Sequence, residues 1–281
     1  MALSKILVSL DGSVLAEKAV PIAMSLARSS GAEICLITVA DGKPGDMPYD
    51  DSELYLEEVS SSLRHSGFTS CFHVGTGSAA HSIVQTAHDE EVDLIIMTTR
   101  GRSGITRGIL GSVTDEVISK SLMPVYVVRS DNATNAGEQS EFGAGTIVPL
   151  DGSELAETAL EEAILLSHLS LSPIYLVRVI EESSSVETRD RAGAYLERLC
   201  GQLAERKILA IPELMTGHPG ISIIQFMNTR PGSVVVLTTR GSGGLTRWIR
   251  GSVADWLIHR APGPIVVVSP KHQALLGSVI H

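Results

Sequence analysis

Two stretches of this 281-residue chain have the residue types and spacing to hold an anion. Thr98-Thr99-Arg100-Gly101 is followed after nine residues by Gly111-Ser112, and Thr238-Thr239-Arg240-Gly241 is followed at the same distance by Gly251-Ser252. Glycines at 101, 104 and 108 let a backbone approach a ligand closely. A Gly-Ser pair at the start of a helix presents N–H groups that have no intrahelical acceptor, at the positive end of the helix dipole. That is an arrangement for phosphate. Arg100, Arg102 and Arg107 have no acidic residue among them, and neither do Arg240, Arg247 and Arg250. Each loop is therefore a basic island in a chain of formal net charge −10, a charge that argues against a general nucleic-acid or acidic-membrane surface.

The residues around the loops must place them. Leu94-Ile95-Ile96-Met97 and Val234-Val235-Val236-Leu237 are short continuous apolar runs, as in the strands of a parallel sheet buried on both faces. In such a sheet, ligands bind beyond the carboxyl ends of the strands, where the strand order reverses. Asp11 and Asp151 follow the first strand of each half, Val39 and Val179 end the second, and the glycine loop follows the fourth. Together they can form one pocket. The carboxylate would take a ribose or position a metal-bound water, the valine would pack on a base, and the helix start would take phosphates. Singly, each has a plainer reading: Asp-Gly-Ser as a turn and helix cap, Gly-Ser as a cap, valine as core. Repetition at identical spacing favours the ligand site.

The repeat runs through the chain. Leu10-Asp11-Gly12-Ser13 returns as Leu150-Asp151-Gly152-Ser153, and Val39, Gly77, Gln85, Gly101 and Pro124 return as Val179, Gly217, Gln225, Gly241 and Pro264, all at one offset of 140 residues. A constant offset means a duplication. The expected fold class is α/β, two tandem copies of a doubly wound five-stranded parallel-sheet domain, at residues 1–130 and 146–270, with a linker at 131–145 and a tail at 271–281. In copy one, strands are expected at 6–10, 34–39, 68–74, 93–98 and 125–128. Helices are expected from an N-cap at Ser13 to about Ser29, at 54–63, at 79–88 and at 112–121. In copy two a long helix is expected at 186–206 and the last strand at 265–268.

Other chemistries find less support. No GxxxxGK[ST] occurs, which removes a P-loop, and there is no HExxH and no GxSxG. Gly75-Thr76-Gly77-Ser78-Ala79-Ala80 matches GxGxx[GA], but it follows the third strand and its copy has Met215 in place of the first glycine. His81 and His88 read as residues of a solvated face. Cys35, Cys71 and Cys200 form no CxxC and read as buried thiols of a reducing compartment. The first strand begins by Lys5, with no room for a signal peptide before it, and no apolar run approaches ~18 residues. A cytoplasmic protein is expected, with no membrane and no nucleic-acid partner.

The chain resembles the universal stress protein family in its tandem two-domain form, through the motif G-x2-G-x9-G-[ST]. Gly101 and Gly241 match its second glycine, Gly111-Ser112 and Gly251-Ser252 match its end, and Thr98 and Thr238 stand at its first glycine. The resemblance implies a Rossmann-like, adenine nucleotide alpha hydrolase-like fold that binds ATP with Mg²⁺. It implies that Asp11 and Asp151 contact the nucleotide, that Val39 and Val179 line the adenine, and that the loop glycines with Ser112 and Ser252 hold the phosphates. Ser9 or Pro149, Met97 or Leu237, and Val113-Thr114 or Val253-Ala254 would complete each pocket. Ala254 lacks the hydroxyl of Thr114, so the second site is expected to bind more weakly. The last strands of the two copies would meet across a pseudo-twofold axis, and further association into a homodimer is compatible with the family. The implied role is a stress-response protein that acts as a nucleotide-dependent regulator, with an unidentified protein partner, rather than an efficient enzyme. Two alternatives stand beside it. One is a slow ATP hydrolase or phosphotransferase that uses Asp11 and Asp151 to place Mg²⁺ or water; the other is an interaction module that binds no nucleotide.

Overall fold

The computed structural model describes residues 2–40, 47–99, 110–129, 143–238 and 252–270. The chain divides into two units, Met1–Ser140 and Glu141–His281. The first contains β1 (Lys5–Ser9), α1 (Val14–Glu17), α2 (Ala19–Ser30), β2 (Glu33–Ala40), α3 (Tyr49–His65), β3 (Ser70–Thr76), α4 (Ala79–Asp89), β4 (Leu94–Thr98), α5 (Ser112–Lys120) and β5 (Val125–Val128). Its strands are parallel and lie in the order β3-β2-β1-β4-β5. The second contains β6 (Thr146–Pro149), α6 (Glu154–Glu157), α7 (Leu160–Ser170), β7 (Ile174–Ile180), α8 (Val186–Glu205), β8 (Ala210–Thr216), α9 (Pro219–Asn228), β9 (Val234–Thr238), α10 (Ser252–Arg260) and β10 (Ile265–Val268). Its order, β8-β7-β6-β9-β10, repeats the first.

The central strands are apolar because helices cover both faces. Ile6, Leu7 and Val8 of β1 are fully buried, as are Ile95 and Ile96 of β4, and Ile147, Val148, Val235 and Val236 repeat this in the second unit. At the edge strand β3, Ser70 meets Ser60 of α3 at 2.8 Å between hydroxyls, while Gly75 faces Ser82 of α4. Successive residues of a strand point to opposite faces, so α3 and α4 cover opposite sides.

Ser13 caps α1 by accepting the Ala16 N–H at 3.1 Å, and Ser153 repeats the bond to Ala156. The single helix expected from Ser13 to Ser29 is two helices. A 3₁₀-type turn breaks it, in which the Lys18 N–H donates to the Leu15 carbonyl at 3.3 Å. Thr158 donates to Leu155 in the same way, so the break does not depend on Pro21, whose counterpart is Glu161. The expected helix at 54–63 begins earlier, at Tyr49: Pro48 occupies the N-cap, and Asp50 and Asp51 in the first turn complement the dipole. The third strand lies two residues later than expected, because Gly67 at φ +86 turns the chain and the Phe68 N–H is taken by the Leu63 carbonyl. The 131–142 part of the linker, the 271–281 tail, the glycine loops and the six loop arginines lie outside the described residues.

Candidate functional site

In the first unit the order reverses between β1 and β4, and four of the expected groups converge at that carboxyl edge. Asp11 follows β1, Val39 stands one residue before the end of β2, Met97 and Thr98 end β4, and Gly111 caps α5. The Gly111 N–H donates to the Thr99 carbonyl at 2.8 Å and the Thr99 N–H to the Val128 carbonyl at 2.9 Å, which fixes the helix start against the sheet. A Cβ at Gly111 would lie 3.1 Å from the Thr99 oxygen, so glycine is what permits this approach. Among the described residues no side chain caps α5. The first-turn N–H groups, those of Ser112, Val113 and Thr114, therefore face outward without an intrahelical acceptor, a donor set that fits a phosphate. Ser112 and Val113 are exposed, as a ligand surface requires.

Two side chains expected to touch a ligand are also structural. The Thr114 hydroxyl is buried and donates to the Thr98 carbonyl at 2.9 Å, which ties α5 to β4. Its backbone N–H, not its hydroxyl donor, is the group this geometry offers to a ligand. Asp11 Oδ1 accepts the Ser13 N–H at 3.0 Å and the Ser13 hydroxyl at 2.6 Å, and Asp151 does the same with Ser153. Each aspartate thus builds the turn at which it stands. Ser9 is the last residue of β1, in register with Ile37, and Pro149 is its counterpart at the end of β6, in register with Val177.

Beside Val39, the register of β2 and β3 places Gly75, and a Cβ there would lie 3.2 Å from Val39 Cγ2 and 2.9 Å from Ser82 Cβ. Glycine is what lets Ser82 of α4 and the Val39 side chain close in on β3 there. In the second unit Val179 stands opposite Met215. A second difference lies one residue earlier. Thr38 is buried and donates to the Leu10 carbonyl at 2.5 Å, whereas its counterpart Arg178 lays its guanidinium over the Asp151-Gly152 turn. Nη1 is 2.7 Å from where a Gly152 Cβ would be, and Cζ is 5.0 Å from the ring of Tyr195. Arg178 and Met215 are site neighbours that motif reading passes over. The signal was available as departures from the repeat, Thr38 to Arg178 and Gly75 to Met215. Leu237 and Thr238 are buried at the end of β9 and Val253 and Ala254 begin α10, while Gly241 and Gly251 lie outside the described residues, as does the side chain of Ser252.

Among the described residues no helix is long and apolar enough to cross a membrane. The profile of the Universal stress protein family matches residues 3–129 and again 146–269. A universal stress protein of Mycobacterium tuberculosis is 26% identical over 187 residues, 63% of this chain and 62% of that protein, so the chain spans less than two thirds of that relative's length. A universal stress protein of Methanocaldococcus jannaschii is 33% identical over 138 residues, 44% of this chain and 81% of that one. The crystal structure of a universal stress protein from Archaeoglobus fulgidus superposes with a TM-score of 0.76 at 23% identity, covering 96% of this chain and 100% of the other, and shares its fold. With two family matches, each on a unit with the same parallel strand order, the chain belongs to the universal stress protein family as a tandem two-domain member.

Proposed function

We propose that the first unit binds an adenine nucleotide, ATP with Mg²⁺, and that the chain acts as a nucleotide-dependent regulator in a stress response. Family membership supports the stress-response role. The observation that carries the nucleotide reading is the convergence at the β1/β4 edge of Asp11, Val39 and the start of α5, uncapped among the described residues. The base would lie on Val39, the ribose would meet the Asp11 turn, and the phosphates would meet the N–H groups of Ser112 to Thr114. In the second unit Arg178 covers the equivalent turn and Met215 stands in place of Gly75 beside Val179, so its binding is weaker.

The test is to denature the purified, undialysed protein and identify and count the released nucleotide by chromatography. About one ATP per chain, lost in Gly111→Val and retained in Gly251→Val, supports the reading. No released nucleotide, together with no thermal shift on adding ATP and Mg²⁺, removes it in favour of an interaction module.

A further inference from the structure

A second cluster of reactive side chains lies on the same two strands, toward their other end. The register of β2 with β3 sets Cys35 opposite Cys71 and Ile37 opposite His73. Residues 35 and 37 share a face of β2, and 71 and 73 share that face of β3, because the side-chain period of a strand is two. This is also the face of Val39 and Gly75, about 13 Å along the strand from Cys35 at ~3.3 Å per residue. Cys35 is fully buried and Cys71 partly so, and neither forms a disulfide. One sulfur from each cysteine and one imidazole nitrogen of His73 all lie within 4.8 Å of one another.

The surroundings of the cluster also point to a cation. His73 Nε2 is buried and makes no hydrogen bond among the described residues, although Glu90 Oε1 stands 3.2 Å away. Lys5 holds the other oxygen of Glu90 at 2.8 Å and lies 3.6 Å from Glu33. The Cys35 thiol, hydrogen-bonded to Cys71, holds Cys71 below the ordinary thiol range, while the same bond, with burial added, pushes Cys35 up. The second unit carries none of this. Its residues at these positions are Tyr175, Ile211 and Glu213, and Arg230 replaces Glu90, pairing with Glu213 at 3.4 Å and lying 4.6 Å from the Tyr175 ring centroid.

We propose that Cys35, Cys71 and His73 form a site for a borderline-soft divalent cation, zinc by preference, with water taking the fourth position of a tetrahedral shell. Thiolate and imidazole donors select zinc over magnesium and calcium, which take oxygen. As each sulfur–metal bond forms, that thiol gives its proton to solvent. The site does not depend on the proposed nucleotide reading.

The test uses the full chain, kept reduced with a phosphine, and titrates it with Co²⁺ and then Zn²⁺. One Co²⁺ per chain is expected to bind with thiolate-to-metal charge-transfer absorption and the intense visible bands of a tetrahedral ion, and Zn²⁺ is expected to bleach both. Cys71→Ser and His73→Asn should each weaken zinc binding by more than about 100-fold, beyond the 10- to 100-fold typical of losing only an outer-shell partner. Cys200→Ser should leave it unchanged. A measurement on the unmutated chain guards against a variant that fails to fold: zinc should slow alkylation of Cys71 by iodoacetamide and leave Cys200 as before. Absence of a stoichiometric cobalt spectrum in the reduced chain, or equal zinc effects on Cys71 and Cys200, overturns the proposal.

Discussion

The two units share strand order, helix break, capped turn and the repeated motif residues, yet they differ at several positions beside the candidate site. Gly75, Thr38 and Thr114 of the first correspond to Met215, Arg178 and Ala254 of the second. Gly31 and Gly67, which end α2 and α3 at φ +79 and +86, correspond to Leu171 and Lys207, which hold φ +52 and +62 without being glycine. The framework therefore tolerates these exchanges. Burial of the central strands decides the fold in both units, while residues at strand and helix ends decide what each unit can accept.

Several substitutions would break or sharpen this contrast. Gly111→Val should have the largest effect, abolishing retention of nucleotide, because its Cβ enters the 3.1 Å space beside the Thr99 oxygen; equilibrium dialysis with ATP checks it. Gly75→Met should lower ATP affinity of the first unit about tenfold, roughly 1.4 kcal/mol, because its side chain must displace Ser82 or Val39, and the paired Met215→Gly with Arg178→Thr should raise the stoichiometry toward two; calorimetric titration reads both. Unchanged affinity in the first and unchanged stoichiometry in the second would show that the surroundings of Val39 are irrelevant to binding. Thr114→Ala should cost about 1 kcal/mol of stability in urea unfolding through loss of the bond to the Thr98 carbonyl, making the first unit resemble the second there. Leu171→Gly should stabilise by about 0.5–1 kcal/mol by relieving a left-handed residue that is 93% exposed and packs on nothing that glycine would forfeit.

The smallest effect concerns a pair found only in the second unit. Arg206 grips Glu161 through two bonds of 2.6 and 3.0 Å, and their counterparts are Ser66 and Pro21. The guanidinium holds the Glu161 carboxyl below its ordinary range and is itself raised. Because the folded pKa is depressed, the stabilisation is present above the unfolded carboxylate pKa and is lost as pH falls through the folded value. Both side chains are about half exposed, so solvent screening limits the pair to about 0.5 kcal/mol. Arg206→Met should lose that amount at neutral pH and nothing once Glu161 is protonated, as urea midpoints across pH would show.

The parallel sheet and its doubling were legible because the apolar runs are continuous and the offset never changes. Ser13 was legible as a cap because Asp-Gly-Ser admits few other local structures. The break at Lys18 was not, since Ala16, Ala19, Val20 and Ala23 keep one helical face through it. Nor was the start of α3 at Tyr49, hidden behind the turn-like Pro48 and its acidic neighbours. At the candidate site, strand ends could be aligned from sequence, which placed Asp11, Val39 and Gly111 at one edge. The commitment of the Thr114 hydroxyl to the Thr98 carbonyl is a tertiary bond and leaves no local trace. Cys35 and Cys71 were read only as buried thiols and His73 was not singled out, because the three meet only through the register of two neighbouring strands, and an error of one residue there would put them on opposite faces.

The position of β3 at the edge of its sheet has a kinetic consequence. Strand β3 is partly exposed along its length and, among the described residues, pairs on one side only, with β2, whereas β2 is held on both sides. Edge segments open in local fluctuations that cost less than global unfolding. Cys71 and His73 ride on the strand that opens and Cys35 on the one that stays. Exchange at this cluster would then follow the breathing rate of one strand, leaving the rest of the unit folded, and amide exchange along residues 70–76 would set its clock.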